Sequence, residues 1–254
     1  MAAIRGFAID LEGVVYSGGA ALPGAIDAIR RLQALGVPYR FVTNTTSKPR
    51  ARAVARLAAV GLDAPPHHVF TPAMAARAHI EKRRLLPHYL VAEALMEDFA
   101  GLRTGNKPAV VIGDARDGFT YASLNAMFRL IENGAELIAL ATNRKFRDAD
   151  GGMSMDVGAF VAALEFASAR TATVLGKPAP AFFRLAVDAM GLRPHEVAMI
   201  GDDAEFDASA AVRAGLQGIV VRTGKWSPGA SDGLDPPPTA EFADLGEAVD
   251  RLAG

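Results

Sequence analysis

Three short apolar runs in this chain stop abruptly on polar side chains, and that recurrence narrows the folds open to it. "GFAID" ends at Asp10, "YRFVTN" at Thr43 and Asn44, and "EVAMIGDD" at Asp202 and Asp203. A helix-like segment follows each. Strand-like runs alternating with helix-like runs are the signature of an α/β sheet with crossover helices.

The segments between them carry matching signals. "PGAIDAIRRLQALG" places Pro23 near its start, puts Ile26, Ile29 and Leu32 on one stripe, and meets Gly36 as a stop. Ser47, Lys48 and Pro49 read as the N-cap and first turn of a helix carrying Val54 and Leu57 and ending at Gly61. The middle of the chain repeats this grammar on its own. Strands are expected at 109–114 and 136–143, and helices over "YASLNAMFRLIENG" and "DVGAFVAALEFASA". Strand grammar resumes with "TATVLGK" and "EVAMIGDD", then a helix from about 207 to 214 stopped by Gly215, then the strand "GIVV". After the stiff loop "DGLDPPPT", an amphipathic helix with Leu245, Val249 and Leu252 closes the chain.

Composition excludes several function classes. The 254 residues are 50% hydrophobic and carry a formal net charge of −1, which gives no electrostatic case for nucleic acid or an anionic membrane. There is no cysteine, so disulfides and thiolate metal sites are ruled out and a reducing compartment fits. Arg5 and Asp10 interrupt any signal-peptide core, and no apolar run approaches the ~18 residues of a membrane span. A soluble cytoplasmic protein is expected, with neither nucleic acid nor membrane as partner.

In an open parallel sheet, functional groups gather at the carboxyl ends of the strands. If these strands are neighbours, Asp10, Asp202, Asp203, the Thr43 hydroxyl and Lys177 (just past "TATVLG") converge on one crevice. Taken singly, each has a plain reading: Asp as turn former or cap, "VTNTTS" as capping chemistry, Lys before Pro as a loop residue. Two adjacent aspartates repel unless a cation offsets them. Carboxylates clustered without Cys or His favour a hard cation with oxygen ligands, and Mg²⁺ is the usual one in phosphate chemistry. A carboxylate beside Mg²⁺ can attack phosphorus to give an aspartyl-phosphate. Metal, ammonium, hydroxyl and backbone N–H donors would stabilise the charge on the transferring group, and a second carboxylate would move the proton.

These residues resemble the haloacid dehalogenase superfamily over nearly the whole chain. "FAIDLEGVVY" stands as the first motif, "FVTNTT" as the second, "LGKP" as the third and "MIGDDAEFD" as the fourth. "PGAIDAIRRL", "VTNTT" and "GKPAPAFF" further resemble its NagD-like subclass with a large α/β cap. That subclass includes NagD-type nucleotidases, pyridoxal phosphatase, p-nitrophenyl phosphatases and phospholysine phosphohistidine inorganic pyrophosphate phosphatase. The resemblance implies an α/β fold: a Rossmann-like, doubly wound parallel-sheet core (1–76 and 174–254) with an inserted smaller α/β cap domain (77–173).

It also implies roles. Asp10 would be the nucleophile and a Mg²⁺ ligand, and Asp202 a further ligand. Glu12 would hold the acid/base position, with its backbone carbonyl on the metal. Thr43 and the Asn44 backbone would hold phosphoryl oxygens, and Lys177 would neutralise charge. Asp203 and Asp207 would support the metal through water or orient Lys177. The substrate would be a small phosphorylated molecule, and the cap a plausible surface for a homodimer. In the cap, Asn143, Arg144, Lys145, Arg147 and Arg116 follow strands. The bland reading is a solvated basic loop; the sharper one has an arginine gripping a second anionic group of the substrate.

Glu12 departs from the family pattern, which has Asp there in most phosphatases. Its intrinsic pKa is similar, but the added methylene moves the carboxyl by more than about 1 Å, a scale to which catalysis is sensitive. A catalytically weakened binding protein of the same fold is therefore the non-enzyme rival. A metal-independent dehalogenase would not need the Asp202–Asp203 pair, and a receiver domain would be about half this length.

Overall fold

The computed structural model describes residues 3–148 and 150–253. In chain order its first elements are β1 (Gly6–Asp10), β2 (Tyr16–Ser17), β3 (Ala20–Ala21), α1 (Ala25–Ala34), β4 (Tyr39–Val42), α2 (Arg50–Ala59), β5 (Val69–Phe70) and α3 (Pro72–Arg83). Next come β6 (Leu85–Leu90), β7 (Lys107–Ile112), α4 (Tyr121–Glu132), β8 (Glu136–Ala139), β9 (Lys145–Arg147), β10 (Met153–Met155), α5 (Val157–Ser168) and β11 (Thr173–Val174). The chain closes with α6 (Pro180–Asp188), β12 (Val197–Gly201), α7 (Ala210–Arg213), β13 (Gln217–Val221), β14 (Ala240–Phe242) and α8 (Leu245–Leu252).

Two compact units result. One comprises 1–43, 50–70 and 177–254; the other comprises 44–49 and 71–176. The first holds a six-stranded sheet in the order β14-β13-β12-β1-β4-β5, parallel throughout. Every residue of β1, β12 and β13 is buried, which is why these strands are apolar apart from Asp10 and Gln217 at their ends: helices cover both faces. Ala25, Ala28, Ile29 and Leu32 form the buried stripe of α1, in one core cluster with Leu245, Ala248 and Val249 of α8 and Leu57 of α2. Fully burying the leucine, isoleucine and valine side chains among them stabilises by about 1.5–3 kcal/mol each.

The second unit is a smaller α/β layer with the parallel order β11-β8-β7-β6 and an antiparallel β9–β10 hairpin. Val110, Ile112, Leu137 and Ala139 pack against Ile131 of α4 and Val157, Val161 and Leu164 of α5. Thr120 caps α4 by accepting from the Ser123 N–H at 3.1 Å, and Thr71 caps α3 by accepting from the Met74 N–H at 3.3 Å. An α/β core with an inserted α/β cap domain is thus the architecture, and no helix among the described residues is long and apolar enough to cross a membrane.

Three expectations are corrected. "TATVLGK" does not rejoin the first sheet: its strand, β11, pairs with β8 of the second, Thr173 opposite Ile138. Ser47, Lys48 and Pro49 precede the next helix instead of opening it, because α2 begins at Arg50. The helix expected from about 207 begins earlier, with a wide turn over Ala204–Ser209 in which Ala208 N–H reaches back five residues to the Asp203 carbonyl at 3.3 Å. Such π-type turns recur at functional sites.

Candidate active site

Register brings the polar strand ends to one edge of the six-stranded sheet. Asp10 lies opposite Val42, so Thr43 is the next residue out on β4. Ile9 lies opposite Ile200, so Gly201 and then Asp202 follow beside Asp10. Gly201 in turn faces Val220, and the chain leaves β13 through Thr223, Gly224 and Lys225.

The buried centre of this edge is an ammonium between carboxylates. Lys177 Nζ donates to Asp10 Oδ1 at 2.7 Å and to Asp207 Oδ1 at 2.6 Å. All three residues are buried, and carboxylate oxygens of Asp10, Asp202 and Asp207 lie within 4.8 Å of one another. Burial dominates the protonation of these acids, and repulsion between them adds to it. Desolvation, with Asp207 adding to it, pushes Asp202 up to about 6. Desolvation also pushes Asp207 up to about 6 and raises Asp10, each against the opposing pull of Lys177. For Lys177, burial opposes the charge, but Asp10 and Asp207 together outweigh it and hold the ammonium.

Asp202 is positioned by main chain. Its Oδ2 accepts from the Lys225 N–H at 2.7 Å, while Oδ1 is buried with no hydrogen-bond partner among the described residues. Gly13 (φ +85°) and Gly224 (φ +55°) let two loops close around this carboxylate: a Cβ on either would fall 2.0 Å from Asp202 Oδ2. Thr223 Oγ1 donates to the Gly13 carbonyl at 2.5 Å and ties the two loops together. Three buried carboxylates against one ammonium, with an orphaned oxygen among them, form a donor set suited to a divalent cation that prefers oxygen.

Other expected residues fall elsewhere. Asp203 caps the wide turn, accepting from the Phe206 N–H at 2.9 Å, and its Oδ2 lies 3.9 Å from Lys225 Nζ. Asp207 Oδ2 accepts from the Asp203 N–H at 3.3 Å, which turns Oδ1 toward Lys177. Glu12 is the surprise. Its side chain is 52% exposed, with Oε1 accepting from the Gly18 N–H at 3.1 Å and Oε2 3.6 Å from Arg56 Nη1. Thr43 donates its N–H to the Phe70 carbonyl at 3.1 Å.

In the second unit, Asn44 Nδ2 donates to Asn143 Oδ1 at 3.4 Å. Arg144 and Lys145 are exposed, and the Arg147 side chain lies outside the described residues. Arg116 is already engaged: it bonds Asp148 at 3.2 Å, lies 3.1 Å from Asp114 and stacks over Phe146. Sequence reading passed over Thr223, Gly224 and Arg56. For the first two a signal existed, since they follow "GIVV", a strand ending on the same edge; Arg56 sits mid-helix among other arginines, with no signal at all.

A family model described as haloacid dehalogenase-like hydrolase matches residues 7–117, and a second, HAD-hydrolase-like model matches residues 174–248. The chain belongs to the haloacid dehalogenase-like hydrolases, and it is a hydrolase. Within them it is NagD-like. It is 40% identical over 258 residues to phospholysine phosphohistidine inorganic pyrophosphate phosphatase of Danio rerio, covering 98% of this chain and 94% of that protein. Its structure resembles the 4-nitrophenylphosphatase of Thermotoga maritima (TM-score 0.88, 26% identity, 97% of each chain). NagD of E. coli K-12 is similar too (TM-score 0.85, 25% identity, 96% of this chain and 98% of that one).

Proposed function

We propose that this protein is a Mg²⁺-dependent phosphatase acting on a small phosphomonoester, pyrophosphate or phosphoamino compound through an aspartyl-phosphate on Asp10. The observation that carries the reading is Lys177, clamped between Asp10 and Asp207 beside the unpaired Oδ1 of Asp202. The phosphatase relatives agree with it. Asp10, Asp202 and the Glu12 main-chain carbonyl would hold Mg²⁺, which when bound offsets the excess of carboxylate charge and that of the phosphoryl oxygens.

The residues then divide the work. An Asp10 oxygen attacks phosphorus, the bond to the leaving oxygen breaks, and that oxygen takes a proton from Glu12. Water next attacks the aspartyl-phosphate at phosphorus while the Glu12 carboxylate takes its proton; inorganic phosphate departs and Asp10 is restored. Lys177, held as ammonium, offsets charge between nucleophile and phosphate, and Asp207 orients it. The Thr43 hydroxyl and the Asn44 backbone are assigned to the phosphoryl oxygens. The lack of cysteine supports a cytoplasmic location. Exposed Tyr121 and Phe166 on α4 and α5 support a homodimer. A binding protein without activity is less favoured, because the Asp10–Lys177–Asp207 cluster assembles without the Glu12 carboxylate.

The test is release of inorganic phosphate from a panel of phosphate compounds with Mg²⁺ or EDTA. Activity is expected only with Mg²⁺ and is lost in Asp10→Asn. Metal-independent turnover, or an Asp10→Asn variant of full activity, refutes the reading.

A further inference from the structure

The carboxylate at the acid/base position is tied down by contacts that no catalytic step uses. Main chain around it is set by Leu11, whose carbonyl accepts from the Val15 and Tyr16 N–H groups at 2.9 and 3.2 Å, and by Gly13 N–H donating to the Tyr16 carbonyl at 2.8 Å. The Glu12 side chain points to the β2–β3 hairpin, where the Gly18 N–H holds Oε1 at 3.1 Å. Arg56, from α2, then closes the arrangement. Its Nη1 lies 3.6 Å from Glu12 Oε2, and its guanidinium sits over the Tyr16 ring, 4.8 Å from the centroid. The carboxylates that do converge are Asp10, Asp202 and Asp207.

We infer that Arg56 is a positioning residue: it latches Glu12 to the hairpin, and Glu12 moves a proton only when this latch opens. The inference rests on the acid/base reading of Glu12 proposed above. It also gives a physical reason for the extra methylene. Relative to Glu, an Asp carboxylate would be drawn back by more than about 1 Å, and from 3.1 Å that takes it beyond hydrogen-bond reach of Gly18 N–H. Glu is long enough to be stored on the hairpin and flexible enough to leave it. The latch is weak by design of its surroundings: Arg56 and Glu12 side chains are 38% and 52% exposed, in the range where ion pairs contribute little. Opening it therefore costs the rate a factor of up to about five, not orders of magnitude.

Leaving-group chemistry separates the latch from the acid itself. An alkyl phosphate such as glycerol 2-phosphate needs a proton on its leaving oxygen, whereas 4-nitrophenyl phosphate barely does. The readout is the ratio of kcat for the two substrates in wild type, Arg56→Met, Arg56→Lys, Glu12→Gln and the Arg56→Met/Glu12→Gln double variant. Met keeps an apolar stem against Tyr16 and removes the charge; thermal melting confirms that each variant folds.

Arg56→Met is expected to raise the alkyl-to-aryl ratio by up to about fivefold, with Arg56→Lys between it and wild type. Glu12→Gln lowers the ratio, and in its background the Arg56→Met effect disappears. A ratio unmoved by Arg56→Met, or moved equally in the Glu12→Gln background, overturns the latch while leaving Glu12 as the acid. If Glu12→Gln itself leaves the ratio unchanged, the acid/base reading falls and the latch falls with it.

Discussion

Lowering the pH should stabilise the metal-free protein, and Asp202 gives the scale of its contribution. Its carboxyl is pushed from 3.8 to about 6 by burial. A folded-state pKa above the unfolded one contributes stability that is complete below the unfolded value and is lost as pH rises through the folded value. Between pH 5 and 7.5 this loss amounts to about 1.4 kcal/mol for Asp202 alone. Asp207, also near 6, and Asp10 act in the same direction. Lys177 stays charged throughout the window and adds no slope. His68 opposes: burial lowers its pKa below 6.5, so its contribution is lost as pH falls.

The quantity to measure is thus a difference: the urea unfolding free energy of wild type minus that of Asp202→Asn, in EDTA, at fixed ionic strength. His68 cancels in that difference, which should fall by about 1.4 kcal/mol from pH 5 to 7.5. Saturating Mg²⁺ should abolish the fall in wild type, because metal and protons compete for the same oxygens. A difference that stays flat or rises with pH in EDTA refutes the assignment of Asp202 as a buried, uncompensated carboxyl.

Three further outcomes follow from the same geometry. Lys177→Met leaves Asp10 and Asp207 buried without their counter-charge, and urea unfolding at pH 7.5 should lose about 3–5 kcal/mol; an unchanged midpoint contradicts the clamp. Gly224→Ala forces a methyl into the Asp202 carboxylate at a positive φ; a stability loss of about 2–4 kcal/mol is expected, with weaker Mg²⁺ binding by calorimetry. Arg144→Ala should narrow selectivity for pyrophosphate over an uncharged-tail phosphomonoester by about tenfold, one lost charged hydrogen bond; equal ratios remove Arg144 from substrate recognition.

Much of the site was legible because the strands that carry it are buried on both faces. The central strands β1 and β12 must be apolar nearly from end to end, so Asp10 and Asp202 stand out as the first polar residues at their carboxyl ends, while Thr43 follows β4, whose Arg40 is half-buried and breaks the pattern. Short edge strands leave no comparable trace. Val69–Phe70, Ala240–Phe242 and the two hairpins are two or three residues per strand, set by whichever partner lies alongside. β11 looked like a strand of the first sheet, yet two residues of Thr and Val are equally at home in either; pairing with β8 decided it.

From local pattern alone, then, the chain settles its α/β class, the helices whose apolar stripes meet a core, and which acidic residues end the central strands. These follow from side-chain periodicity and from burial on both faces, which are properties of consecutive residues. Side-chain direction does not follow from them. Whether a carboxylate one or two positions beyond a strand turns inward or outward depends on groups outside the strand itself: Lys225 N–H holds Asp202 in, while Arg56 and Gly18 hold Glu12 out. Only the tertiary structure brings those partners near, and so it alone separates the buried acids from the latched one.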